Sequence, residues 1–247
     1  MSVHIVIPAR YASSRLPGKP LADIAGLPMV VRTAQQAAKA AVDSVVVAAD
    51  DDRVADVVRG SGIAAQMTRT DHVSGSDRVM EVAELCGWSD DDVVINVQGD
   101  EPLVPPAVIN QLSDGMRKRA DVPMATLSEP LHSVSEFLDP NVVKVVCNDR
   151  GLAMLFSRAP IPYPRDSQGR SLPESATRHV GIYAFRVHAL RRFIALGSST
   201  LEQLEMLEQM RWLQAGHPLL VMQALKPVPG GVDTPEDLAR VQAQFGT

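Results

Sequence analysis

The sequence predicts an α/β fold with a mainly parallel central sheet covered by helices. Short runs rich in Val and Ile alternate with longer amphipathic stretches over the first half of the chain, giving a β-α-β-α rhythm. Those runs are nearly continuous in apolar residues, as strands covered on both faces require. The length of 247 residues exceeds the commonest domain size and suits one large domain, 1–247, carrying a lobe.

Residues 3–7, 44–49, 63–66 and 92–98 read as strands, with helices near 28–40, 51–59, 76–85 and 105–118. Strands joined by helical crossovers lie parallel, and ligands on such sheets sit beyond the carboxyl ends of the strands. From about residue 122 the rhythm changes. Segments 124–128, 142–147, 152–157 and 179–185 are strand-like in succession, broken by a Pro-rich stretch at 159–173, so a smaller antiparallel lobe is expected over about 122–186. Helical periodicity returns at 187–196 and 201–214, followed by a strand at 219–224 and a last helix that Thr234 caps ahead of Pro235.

Composition excludes several classes. The 24 Lys and Arg against 29 Asp and Glu leave a net charge of -5 without a basic tract, which argues against a nucleic-acid binder. The N-terminus has no cationic start followed by an apolar stretch, and no run of 18 apolar residues follows, so a cytoplasmic protein without membrane insertion is expected. Cys86 and Cys147 lack metal-like spacing and read as reduced, buried structural residues.

The chemistry concentrates at strand ends. After the first strand, Arg10, Arg15 and Lys19 stand in a loop with Ser13, Ser14 and Gly18. Small residues let backbone N–H groups approach an anion, and three cations match a polyphosphate. A solvated basic loop is the competing reading. No G-x-G-x-x-G occurs, and Gly18-Lys19 lacks the earlier glycine of a P-loop. After the fourth strand comes Gln98-Gly99-Asp100-Glu101, and near the C-terminus Asp233 precedes Thr234. Each aspartate reads either as a turn or cap residue or as a ligand for Mg²⁺, which favours one or two carboxylates plus substrate phosphates. Ser74, Ser76 and Arg78, after the third strand, read equally as a helix start or as ligand contacts.

Taken together, IPARYASSRLPGKPL at 7–21, NVQGDEP at 96–102 and GVDTPEDL at 231–238 resemble the 3-deoxy-manno-octulosonate (KDO) cytidylyltransferases. Segments 67–78, 141–146, 156–158, 178–183 and 204–211 extend the resemblance over essentially the whole chain. It implies the nucleotide-diphospho-sugar transferase fold, with the antiparallel lobe supplying a homodimer contact. It also implies CTP and KDO as substrates, CMP-KDO and pyrophosphate as products for lipopolysaccharide synthesis, and Mg²⁺ as cofactor. Carried onto this chain, the nucleotide falls to Ala9, Arg10, Arg15 and Lys19, and the metal to Asp100 and Asp233; Lys19 joins those aspartates as a catalytic residue. The sugar acid falls to Gln98, Arg158, His179, Tyr183, Glu205 and Gln209, with Glu202 and Glu208 of the same acidic helix around it. In the expected helix 201–214, Glu202, Glu205 and Gln209 share one face and Leu201, Leu204, Leu207 and Leu213 form the core face.

Overall fold

The computed structural model describes residues 1–12 and 16–245. Ser13, Ser14 and Arg15, named above for the first loop, lie outside the described residues. The chain begins with β1 (Val3–Ala9), a small β2 (Asp23–Ile24) and β3 (Leu27–Pro28) hairpin, and α1 (Met29–Ala37). Four β/α steps follow: β4 (Ser44–Ala49) with α2 (Asp52–Gly60), β5 (Ala64–Met67) with α3 (Gly75–Leu85), β6 (Val93–Asn96) with α4 (Pro106–Lys118), and β7 (Met124–Pro130) with the short α5 (Val134–Leu138). Then come β8 (Lys144–Cys147), β9 (Ala153–Ser157), β10 (Thr177–Arg186), α6 (Val187–Ala195), α7 (Thr200–Glu205), α8 (Met210–Gln214), β11 (Leu220–Gln223) and α9 (Pro235–Phe245).

The main sheet has the order β11-β7-β10-β6-β1-β4-β5. β1 is parallel to β4 and β6, and β4 to β5, whereas β10 runs antiparallel between β6 and β7. Alternation along β1 explains the two layers. Val3, Ile5 and Ile7 pack with Val30 and Ala34 of α1, Val54 of α2 and Ile109 of α4, while Val6 packs on the other face with Val79 of α3, Phe193 of α6 and Trp212 of α8. Both faces are covered, and each fully buried Ile or Val contributes about 1.5–3 kcal/mol relative to exposure.

The antiparallel part lies partly inside this sheet. β7 and β10 pair into the main row, and β8 with β9 extends from the edge of β10 as a hairpin. Cross-strand partners are set by tertiary contact, so a run of strand-like segments reads as a separate excursion when only the sequence is seen. α5 lies within the same stretch, capped by Ser133, whose hydroxyl accepts from Glu136 N at 3.1 Å.

The helix expected at 201–214 is two helices. Met206 takes φ 52° and ends α7, and Leu207 N donates to Glu202 O at 3.3 Å across the left-handed residue. The shared face of Glu202, Glu205 and Gln209 therefore does not form. Leu204 is 77% exposed while Leu207 is 6% exposed, so the expected leucine core face does not form either. Cys86 is exposed rather than buried. Among the described residues, no helix is long and apolar enough to cross a membrane.

Candidate active site

Three loops meet at the carboxyl edge of the parallel strands. Gly99 sits so close to β1 that a Cβ there would fall 2.8 Å from Pro8 O, and Thr33 Oγ1 of α1 donates to Gly99 O at 3.1 Å. A side chain at 99 would push the Asp100 loop off the first loop. The C-terminal loop is pinned to the same place: Val232 N donates to Asp100 O at 2.9 Å, and Val228 N donates to Glu129 Oε1 at 2.6 Å. Ile24, Met29, Val232 and Val241 form a small apolar cluster that holds α9 against the β2–β3 hairpin. Thr234 does cap α9, since its hydroxyl accepts from Asp237 N at 3.2 Å while Asp237 Oδ2 accepts from Thr234 N at 3.1 Å.

That cap leaves the Asp233 carboxylate directed at Lys19. Lys19 opens a short 3-10 turn, Lys19–Leu21, and its ammonium donates to Asp100 Oδ2 and, at 2.9 Å, to Asp233 Oδ1. Burial alone would lower the pKa of Lys19, but the two carboxylates outweigh it and hold the ammonium charged above its ordinary value. Beside Asp100, burial first and the Asp100 charge second push the Glu101 carboxyl up to about 8. Two hard oxygen donors converging on one point that already holds a cation fit Mg²⁺ completed by substrate oxygens. Among the described residues no group of three or more His, Cys, Asp or Glu could hold a metal ion.

Ala9, the last residue of β1, is buried opposite Ala49, and Arg10 is exposed just beyond it. A hollow of about 160 Å³ opens between Pro8, Arg10, Ser74, Gly75, Arg78 and Gln98, so the first loop, the start of α3 and the Asp100 loop share one space. A larger hollow of about 800 Å³ borders Met80, Leu85 and Ile194 and includes neither the loop cations nor the two aspartates.

Toward β10, Gln98 Nε2 donates to Asn96 Oδ1 at 3.3 Å, and Asn96 lies opposite Tyr183. Tyr183 and His179 have ring centroids 5.3 Å apart. Gln98, His179 and Tyr183 thus gather on one patch. Burial chiefly, with the Arg178 charge, pushes His179 down to about 3, so the imidazole is neutral. Its Nε2 lies 3.0 Å from Thr126 Oγ1, whose hydroxyl also reaches Val180 O and Ile182 O. With that hydroxyl donating to a carbonyl, His179 Nε2–H is the donor and Nδ1 the acceptor.

Arg158 and Glu205 form a different arrangement. Arg158 Nε donates to Glu205 O at 2.6 Å, Nη1 to Pro140 O at 2.8 Å and Nη2 to Met206 O at 3.4 Å. The Glu205 carboxylate accepts from Ser157 Oγ at 2.6 Å and Arg158 N at 2.9 Å. This pair braces β9 against the bend between α7 and α8, and on the same strand Phe156 stands edge-on to His179, with ring centroids 5.0 Å apart. The bend carries Gln209 inward: it is 5% exposed, and its Nε2 has no partner among the described residues. The same holds for Tyr183 Oη, while Glu208 Oε1 has no hydrogen bond but lies 3.9 Å from Arg211 Nη2. Buried polar atoms without partners lose about 1–3 kcal/mol each unless a ligand or water meets them.

Glu208, which the resemblance sets beside the sugar acid on the acidic helix, accepts from Ser76 Oγ at 3.0 Å, and burial raises its pKa against the Ser74 and Ser76 hydroxyls. No spacing signalled it, because the α7–α8 bend places it. Asp50 is a residue that sequence reasoning missed. It follows the last residue of β4, where the strand-end rule that singled out Asp100 applies equally.

A family model described as cytidylyltransferase matches residues 4–223. The chain is 49% identical over 250 residues to the 3-deoxy-manno-octulosonate cytidylyltransferase of Alcanivorax borkumensis, covering 100% of this chain and 99% of the relative. It is 48% identical over 249 residues to that of Cellvibrio japonicus, covering 98% of each. A solved CMP:2-keto-3-deoxy-manno-octonic acid synthetase complexed with CTP superposes with TM-score 0.92 at 44% identity, over 100% of this chain and 99% of that one. A cytidylyltransferase from Leptospira borgpetersenii shares the fold, with TM-score 0.65 at 15% identity over 100% and 87% of the two chains.

Proposed function

The chain belongs to the cytidylyltransferase family, and on that premise we propose that it transfers CMP from CTP to the anomeric hydroxyl of KDO. The products are CMP-KDO, an activated sugar for lipopolysaccharide, and pyrophosphate. The observation that carries the reading is the meeting of Lys19 with Asp100 and Asp233, next to the hollow shared by Arg10 and Gln98.

The sugar hydroxyl forms the new O–P bond to the α-phosphorus in line with the bond that breaks to the pyrophosphate oxygen, and the hydroxyl proton is released. No covalent enzyme intermediate is required, so the protein contributes positioning and charge neutralisation. Asp100 and Asp233 would hold Mg²⁺, whose contribution when bound is Lewis-acid neutralisation of phosphate charge. Lys19, already on both carboxylates, donates to phosphate oxygens and stabilises departing pyrophosphate; Arg10 borders the nucleotide hollow, and Arg15 is expected to act with Lys19. Gln98, Tyr183, Gln209 and Glu208 present polar atoms to the sugar acid, and Tyr183 Oη and Gln209 Nε2 have no hydrogen-bond partner among the described residues. The neutral imidazole of His179 offers a hydrogen bond rather than a charge.

A homodimer is proposed through the β8–β9 side, where Met154, Leu155, Leu204 and Met206 leave apolar surface exposed. A cytoplasmic setting follows from the need for CTP. The assay is pyrophosphate release from CTP and Mg²⁺ with KDO, with its 8-amino analogue and with a sialic acid in parallel. Release with KDO well above the other acids is expected; release with sialic acid alone would overturn the sugar assignment.

A further inference from the structure

The turn between β4 and α2 makes contacts that the reaction described above does not use. Asp50, at the end of β4, divides its carboxylate between two donors: Oδ1 accepts from Tyr11 N at 2.9 Å, and Oδ2 accepts from Arg78 Nη2 at 3.2 Å. The pair is buried, with side chains 8% and 3% exposed. Arg78 Nη1 also donates to Thr68 Oγ1 at 2.5 Å, and that hydroxyl donates to Ala49 O at 3.0 Å. Arg78 is thereby fixed to the ends of β4 and β5 while bordering the hollow that Arg10 enters.

Three residues further on, Arg53 is oriented by Asp51 through bonds of 2.8 and 2.7 Å and lies 3.7 Å over the ring of Tyr11. The edge of that ring reaches the far end of the first loop. A Cβ at Gly18 would stand 3.5 Å from Tyr11 Oη, and Gly18, at φ 68°, immediately precedes Lys19. One aromatic ring therefore links the β4–α2 turn to the residue that sets up the Lys19 turn, while its own main chain, one residue after Arg10, is held by Asp50.

We infer that Asp50 and Arg53 are positioning residues: they clamp Tyr11 by its main chain and its ring, and so pre-set Arg10 and Lys19 for a nucleoside triphosphate before it binds. The inference rests on the reading that the first loop takes the nucleotide. Ordering a loop in advance lowers the entropy lost on binding, so the clamp acts on affinity for the triphosphate. An exposed pair such as Asp51–Arg53 adds little to stability by itself, which separates this role from a structural one.

The test compares Asp50→Asn, Arg53→Ala and, as a control on the same helix, Arg59→Ala in the full chain, measuring KM for CTP, kcat with saturating KDO, and Tm without ligand. Arg53→Ala is expected to raise KM for CTP about threefold with kcat within about twofold, and with Tm within about 1 °C of wild type. In Asp50→Asn one amide oxygen faces two donors, so KM for CTP rises more than about tenfold. Wild-type turnover with KM unchanged in both variants, or an Asp50→Asn effect confined to Tm, overturns the clamp and leaves the proposed function standing. A wild-type protein that neither releases pyrophosphate nor binds CTP by calorimetry overturns both.

Discussion

Lys19 Nζ lies 2.9 Å from Asp233 Oδ1 although 214 residues separate them, and the same ammonium holds Asp100. The loop after β1, the loop after β6 and the approach to α9 therefore share one charged centre. That arrangement predicts that Lys19→Ala lowers kcat/KM for CTP at least about 100-fold, the scale of removing one pre-placed charge donor. Unchanged kcat and KM in steady-state assays would contradict the assignment.

Asp100→Asn keeps the shape of the loop and removes one of two converging carboxylates. Turnover is expected to be lost, while CTP still binds in the absence of Mg²⁺ as measured by calorimetry. Wild-type activity in this variant would remove Asp100 from the metal site.

How far the sequence carried this site depends on what each residue relies on. Arg10 follows the first apolar run directly, and Lys19 and Asp100 lie in the loops that leave the first strand and β6, so strand-end loops made them legible, and Thr234 as the cap of α9 was legible from local spacing. Residues placed by irregular backbone were not. Met206 ends α7 in a left-handed conformation without a glycine to announce it, and that bend buries Gln209 and turns Glu205 onto Ser157. Arg158 came to the sugar-acid set by resemblance alone, and its guanidinium serves three main-chain oxygens that only the fold brings near. The parallel strands β1, β4, β5 and β6 announced themselves through Val and Ile, whereas the insertion of β10 between β6 and β7 depends on long-range pairing.

Tyr183→Phe separates binding from folding. Tyr183 Oη is buried without a hydrogen-bond partner among the described residues, so deleting it is expected to hold or raise stability by up to about 1 kcal/mol. If the hydroxyl meets the sugar acid, KM for KDO rises while KM for CTP stays constant. A fall in stability with unchanged KM for KDO would assign the hydroxyl to the fold instead.

His179 gives a pH signature. Its folded pKa of about 3 lies below the ordinary 6.5, so the folded state favours the neutral ring. Its contribution is fully present above pH 6.5 and is lost as pH falls from 6.5 toward 3, amounting to about 2 kcal/mol at pH 5. Urea unfolding at pH 7 and pH 5 should therefore show a smaller loss in His179→Gln than in wild type. An identical loss in both proteins would mean that the imidazole titrates normally.

The most direct measurement is pyrophosphate release from CTP by the wild-type protein, with and without KDO and with and without Mg²⁺. Release that requires all three components, matched mole for mole by CMP-KDO, is the predicted result. Pyrophosphate at the level of the sugar-free control, with CTP left intact, would contradict a transfer site built on Lys19, Asp100 and Asp233.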